Sequence, residues 1–197
     1  MGVIKTALEI ALEKTANVSS DKSSIVQFEA EQRGKKLANA FLDGDLNLPD
    51  ELKKAAADAG CHAQNLRQGV FDVLITQIAL PSSVEDLGKF DKLGRGFSAL
   101  INAKEFENFF NQLIQIFTQY LQEAAQYEQM VRQQYAPKLR QKEEELSKRF
   151  GREIRINPME DQEFVTVLSQ HLNALKENYE SVVEQARDEV KKMFGGE

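Results

Sequence analysis

A repeat of apolar residues between Phe106 and Val131 constrains this chain more than any other feature. Phe106, Phe110, Leu113, Phe117, Tyr120, Ala124, Tyr127 and Val131 follow one another at steps of four and three. That is the seam of a helix packed lengthwise on another helix. A second series supplies the partner: Val165, Leu168, Leu172, Leu175, Tyr179, Val182, Ala186 and Met193, with Glu189 as its polar intruder. Between them FGREIRINPMED carries Gly151 and Pro158, a helix stop and restart. Two long helices on either side of a short loop pack antiparallel. The first is predicted from Ala103 to Phe150 and spans about 70 Å; the second runs from Pro158 to Phe194 and spans about 55 Å, at about 1.5 Å of rise per residue.

The seam is not uniform. Phe109, Ile114, Ile116 and Leu121 widen the apolar face in the first half of the first helix, which predicts that other elements cover it there. Beyond Tyr127 the face narrows, and the register slips through Val131, Tyr135, Leu139, Lys142 and Leu146. Pro137 lies within the slip and removes a backbone donor, so a kink is expected. Upstream, the pattern predicts a helix over Val3 to Ala16 with Val3, Ile4, Ala7, Leu8, Ala11 and Leu12 on one stripe. NVSSD then restarts a second helix over Asp21 to Leu42, PDELKKAAADA forms a third, and His62 to Leu80 a fourth. The stretch Pro81 to Ser98 holds Gly88, Gly94 and Gly96, and predicts an interrupted, flexible bend. The expected fold is all-α: a long antiparallel, coiled-coil-like hairpin braced by an N-terminal group of shorter helices. Residues 1–80 form those helices, 81–98 a glycine-containing hinge and 99–197 the hairpin, in one cooperative unit.

Composition then excludes several function classes. With 42% hydrophobic and 28% charged residues the chain is ordinary for a globular protein. No apolar run reaches the roughly 18 residues of a membrane span. Glu9 and Glu13 interrupt what would be the core of a signal peptide. The single cysteine, Cys61, precludes an internal disulfide and fits a reducing, cytoplasmic setting. A net charge of -6 disfavours general polyanion binding.

Candidate sites are few. Asp43, Asp45 and Asn47 have the spacing of calcium ligands, but Leu48 stands where such a loop needs glycine and Lys54 where it needs a bidentate glutamate. Gly44 as a helix stop, Asn47 as a cap and Pro49 in the next first turn explain the stretch better. His62 and His171 belong to no metal-ligand pair, and Cys61 and His62, as helix neighbours, point apart. Cys61 near a helix start has some claim to reactivity. GKFDKLGRG lacks the order of a phosphate loop. MGVIKT fits an N-myristoylation pattern through Gly2 and Thr6, but no basic cluster follows. No catalytic, cofactor or metal set is expected.

Two surfaces remain. Gln112, Gln115, Gln119, Gln122, Gln126, Gln129 and Gln133 form a neutral row beside the seam, either a self-association or partner surface or a solvated flank. The hairpin tip is basic, with Lys138, Arg140, Lys142, Lys148, Arg149, Arg152 and Arg155 facing Glu143, Glu144, Glu145 and Glu153. It suits RNA or an acidic protein, or is a face laced with helical ion pairs. IKTALEIALEKT followed by EAEQRGKKLANAFLDGD resembles an uncharacterised family of small all-helical bacterial proteins, a domain of unknown function, over about the first quarter of the chain. The resemblance implies no activity, catalytic residue or cofactor. The expected function is a non-enzymatic interaction or scaffold role through the hairpin surfaces, with a protein partner or a second copy. The alternative is RNA or ribosome binding through Arg140, Lys148, Arg149, Arg152 and Arg155.

Overall fold

The chain is all-α. The structure, a computed structural model, describes residues 7–101 and 104–196, with side chains from residue 24 onward except Cys61. Helices α1 (Ala7–Asp43), α2 (Leu48–Ala59), α3 (Ala63–Thr76), α4 (Val84–Ser98), α5 (Lys104–Phe150) and α6 (Gln162–Gly195) account for most of it, with single 3-10 turns at Gly60–His62 and Pro158–Glu160. No described residue forms a strand. Val3, Ile4 and the Gly2–Thr6 motif lie outside the described residues, as do the side chains of Ala7, Leu8, Ala11, Leu12 and Cys61. The chain divides into two units: Met1–Gln77 with Lys92–Ala103, and Ile78–Asp91 with Lys104–Glu197.

In the first unit α1 packs on α3, and α2 on both. The helices meet backbone to backbone. A Cβ on Gly34 would collide with the Leu66 carbonyl and lie 3.0 Å from the Val70 nitrogen; one on Gly69 would collide with the Glu31 carbonyl. Around this crossing Ala38, Leu66, Val70 and Leu74 are fully buried. The second half of α4 completes the core: Phe97 stacks edge-on with Phe71 at 5.9 Å, and Lys92 donates to the Leu42 carbonyl at 2.8 Å. Helix α1 is unbroken, where two helices are expected from NVSSD. That stretch contains neither Gly nor Pro, and Ser, Asn and Asp each cost an established helix only about 0.5 kcal/mol. The turn after α1 behaves as its residues suggest. Gly44 takes φ +97°, the Gly44 and Asp45 N–H groups return to the Ala40 carbonyl at 3.1 and 2.9 Å, and Leu48 is buried at the start of α2. Asn47 precedes α2, but its side chain makes no capping bond.

In the second unit α5 and α6 run antiparallel. Ring pairs with rising numbers in α5 meet falling numbers in α6: Tyr120 with Tyr179, Tyr127 with His171, Tyr135 with Phe164. The seam of α5 is buried at Phe106, Phe110, Leu113 and Phe117, half-buried through Tyr120, Ala124 and Tyr127, and buried again at Val131, Tyr135 and Leu139. On α6 the buried positions are Phe164, Leu168, Leu175, Val183, Ala186 and Val190. Three differ by one residue from the expected Val165, Val182 and Glu189, because a straight helix drifts against a strict seven-residue repeat. The shift places Val190 in the core and removes the polar intruder. Helix α5 continues through Pro137.

The segment expected to be an interrupted hinge is a helix, α4. Its first half covers the wide part of α5: Phe90 lies 4.9 Å from the Phe117 ring and 6.4 Å from that of Phe110. Gly96 serves packing, since a Cβ there would stand 2.9 Å from Phe41 and 3.1 Å from Leu74. Ahead of α4, the Ile78 carbonyl accepts from Arg187 of α6 at 2.9 Å.

Candidate functional site

The densest polar constellation lies where α5 and α6 are joined. Gly151, at φ +64°, ends α5. The chain then doubles back along the helix it has left: Ile154 N–H donates to Ser147 Oγ and Ile156 N–H to Glu143 Oε1, both at 2.9 Å. Asn157 caps the 3-10 turn by accepting from Met159 N–H at 3.1 Å. Asp161 caps α6, its Oδ1 accepting from Glu163 N–H at 3.1 Å and Phe164 N–H at 3.0 Å. A carboxylate at that position also satisfies the positive end of the helix dipole.

Asp161 does more than cap. Tyr135 Oη lies 2.9 Å from both Asp161 Oδ1 and Glu163 Oε2, and gives its proton to one at a time. Lys142 Nζ donates to Asp161 Oδ2 at 2.6 Å, Tyr135 Oη at 3.0 Å and Glu163 Oε2 at 3.2 Å. Lys138 pairs with Glu163. Beneath this clasp Val131, Tyr135, Leu139, Phe164 and Leu168 form an apolar core, with Phe164 wholly buried. The register slip in α5 explains the arrangement. Lys142 falls where the seam would hold an apolar residue, and two carboxylates from the start of α6 meet it; its side chain is 33% exposed and that of Asp161 9%.

The electrostatics are those of a fastener. The Lys142 ammonium and the Phe164 N–H hold Asp161 down to about 2. Lys138, then Tyr135 and Lys142, hold Glu163 down to about 2. Asp161 and Tyr135 raise Lys142 above its ordinary value. Desolvation raises Tyr135, against the influence of Lys142. A catalytic phenolate needs the opposite shift.

The clasp divides the basic residues of the tip into two sets. Lys138 and Lys142 are spent on Asp161 and Glu163, and Arg155 lies 3.2 Å from Glu153. Arg140, Lys148, Arg149 and Arg152 are exposed, and no ion pair with them occurs among the described residues. Arg149 lies over the Phe150 ring at 5.8 Å. Phe150 and Met159, at the two ends of the connection, are 59% and 51% exposed. A shallow groove of about 200 Å³ opens on the flank of α5 beside the clasp, between Arg132, Ala136, Leu139 and Arg140 on one side and Pro158 and Phe164 on the other. Gln112, Gln115, Gln119, Gln122, Gln126, Gln129 and Gln133 are all exposed; Gln119 donates to Glu123 at 2.8 Å. His171 is exposed and stacks on Tyr127 at 5.7 Å.

Sequence reasoning places the cations at the tip but misses the carboxylates that engage two of them. The available signal was Lys142 on the seam, since a buried-side lysine requires an acid across from it. Among the described residues no group of three or more His, Cys, Asp or Glu side chains has the arrangement of a metal site, and no helix is long and apolar enough to cross a membrane.

Neither the curated proteins nor the solved structures contain a match to this chain. A family of unknown function, DUF6657, matches residues 49–192, from the start of α2 almost to the end of α6. The stretch that carries the resemblance to an uncharacterised helical family, residues 4–45, precedes the matched span. The matched span takes in the clasp, the groove, the glutamine row and the basic tip, and on that extent the chain belongs to the family of unknown function DUF6657.

Proposed function

We propose that this chain is a non-enzymatic, cytoplasmic interaction protein that captures a protein partner through the clasped end of its α5–α6 hairpin. The observation that carries this is the exposure of Phe150 and Met159 at the two ends of the connection, with Arg149 over the Phe150 ring and Arg152 exposed in the same loop. Large apolar side chains next to guanidinium groups are the composition of interface anchors. The clasp gives the surface rigidity, so little ordering entropy opposes docking. The engagement of Asp161 in capping α6 and of Glu163 in pairing with Lys138 and Lys142 supports a binding role over an acid–base one.

Affinity capture from the native cell, with wild type and an Arg149→Glu/Arg152→Glu variant, tests the proposal. Partners retained by the wild type are expected to be lost from the variant. An unchanged profile overturns it. The same four unpaired cations favour RNA as the alternative partner. In that case binding falls steeply with salt, and a mobility shift is present at low ionic strength. Self-association along the exposed glutamine row is the remaining mode; light scattering on a Gln119→Glu/Gln126→Glu variant reads it out.

A further inference from the structure

We infer that Pro137 is a hinge in α5 and that the clasp is the latch across it: while Asp161 and Glu163 are engaged the far end of the hairpin, residues 140–160, is held still, and once they are released it swings. The latch does not depend on what the tip binds. A proline inside a helix has no N–H to give the carbonyl four residues back, and its ring crowds that carbonyl. Helix α5 runs on to Phe150, but its ladder is weakest between Gln133 and Pro137. Burial beyond that point is slight. Leu139 is the last buried residue of α5, and from Arg140 to Glu160 no described residue is buried. Ile156, partly buried, packs back against the core of Val131, Tyr135, Leu139, Phe164 and Leu168.

The polar contacts span the proline. Tyr135 precedes it, Lys138 and Lys142 follow it, and all three meet the same pair of carboxylates at the start of α6. Tyr135 Oη lies 2.9 Å from Asp161 Oδ1 and from Glu163 Oε2, Lys142 Nζ donates to Asp161 Oδ2 at 2.6 Å, and Lys138 pairs with Glu163. Both ammonium groups also lie over the Tyr135 ring, Lys138 at 5.5 Å and Lys142 at 5.4 Å from its centre. Capping α6 needs Asp161 alone; the lysines tie the far side of the break to it. The bonds of Ile154 N–H to Ser147 and of Ile156 N–H to Glu143 lie wholly beyond Pro137. They join the end of α5 to the returning loop, so the two move as one body. A swing about Pro137 therefore breaks the clasp and leaves the tip itself intact.

Hydrogen exchange on the full chain provides the test. Asp161→Asn/Glu163→Gln removes both charges and keeps the cap, since asparagine caps a helix about as well as aspartate. In this variant the amides of residues 138–150 are expected to exchange about ten-fold or more faster, while those of residues 118–131 keep their wild-type rates. Pro137→Ala restores the missing helical bond. Added to the released variant, it is expected to return residues 138–150 towards wild-type protection; in the wild type, where the latch already holds the break, it is expected to change little. Unchanged exchange in residues 138–150 of the released variant overturns the inference. So does equal acceleration on both sides of Pro137, which is loss of the hairpin rather than a swing. An equal gain from Pro137→Ala in both backgrounds also overturns it, because the substitution then acts as a general stabiliser. A second measurement reads the swing directly: nitroxide spin labels at Gln126→Cys and Lys148→Cys, exposed positions on either side of Pro137, in a Cys61→Ser chain. Their distance distribution is expected to be narrow with the clasp intact, broad in the released variant and narrow again once Pro137→Ala is added. A distribution equally narrow in all three overturns the hinge.

Discussion

At the scale of single residues, two glycines decide the first unit. Gly34 and Gly69 let α1 and α3 approach until each helix touches the other's carbonyl groups. No side-chain rearrangement makes room for a methyl group there, because the atoms in the way are backbone. Gly34→Ala is therefore expected to force the helices apart and destabilise the unit by about 3 kcal/mol or more, at the upper end of overpacking costs. Equilibrium denaturation followed by circular dichroism measures it; a change below about 1 kcal/mol contradicts the close approach. Phe164 sets the same scale for the second unit. It is wholly buried between Tyr135 and the seam, so Phe164→Ala is expected to cost about 3–5 kcal/mol. Neither glycine stands out in the sequence, where an isolated glycine within a helical pattern reads as a weak point. Its necessity comes from a neighbour more than thirty positions away.

At the scale of elements, α4 shows how a composition argument goes astray and how to check the correction. Three glycines in one short stretch look like a hinge when each is counted as a breaker. In the fold two of them, Gly96 and Gly88, sit in opposite surroundings. Gly96 is squeezed by Phe41 and Leu74, whereas Gly88 faces open space with ordinary helical backbone. Gly88→Ala is accordingly expected to stabilise the protein by up to about 1 kcal/mol, the propensity difference in a helix interior. Gly96→Ala is expected to destabilise it. If both substitutions are destabilising, the helix assignment is in doubt. The hairpin was legible because its repeat is long and its phase self-consistent. The one-residue errors on α6, Val182 for Val183 and Glu189 for Val190, arose where helical drift accumulates against the seven-residue template. The clasp was only half legible. Lys142 marked the slip, but its acids lie across a loop whose return path depends on Glu143 and Ser147 holding backbone N–H groups.

The clasp also gives the hairpin a defined pH response. Asp161 and Glu163 are held at about 2 in the fold, whereas an unfolded chain gives values of about 4. Their contribution is therefore complete above the unfolded value and disappears as pH falls from about 4 towards about 2. Lys142 is shifted upward, so its share is complete below its ordinary value and disappears as alkali titrates it. Thermal melts between pH 6 and pH 2 are expected to fall for the wild type. They are expected to fall less for Asp161→Asn/Glu163→Gln, whose stability is already lower at neutral pH. Parallel slopes for the two proteins contradict the clasp.

At the scale of the whole chain, the two units are interleaved in sequence, and the family boundary cuts one of them. Residues 49–192 match DUF6657, but the first unit takes α1 from before that span and the second half of α4 from beyond residue 91. A fragment beginning at residue 49 keeps α2 and α3 and loses the helix whose backbone lies against Gly69 and the Leu66 carbonyl. Leu66 and Val70, fully buried in the intact chain, then face water. Hydrogen exchange on a fragment of residues 49–197 is therefore expected to show fast exchange across α3. The segment joining Val131 to Leu168, whose core is supplied by α5 and α6 alone, should remain protected as in the full chain. Loss of protection across 131–168 in the fragment would mean that residues before the family span also support the clasped end of the hairpin. Protection of α3 in the fragment would mean that the glycine crossing is not what holds it.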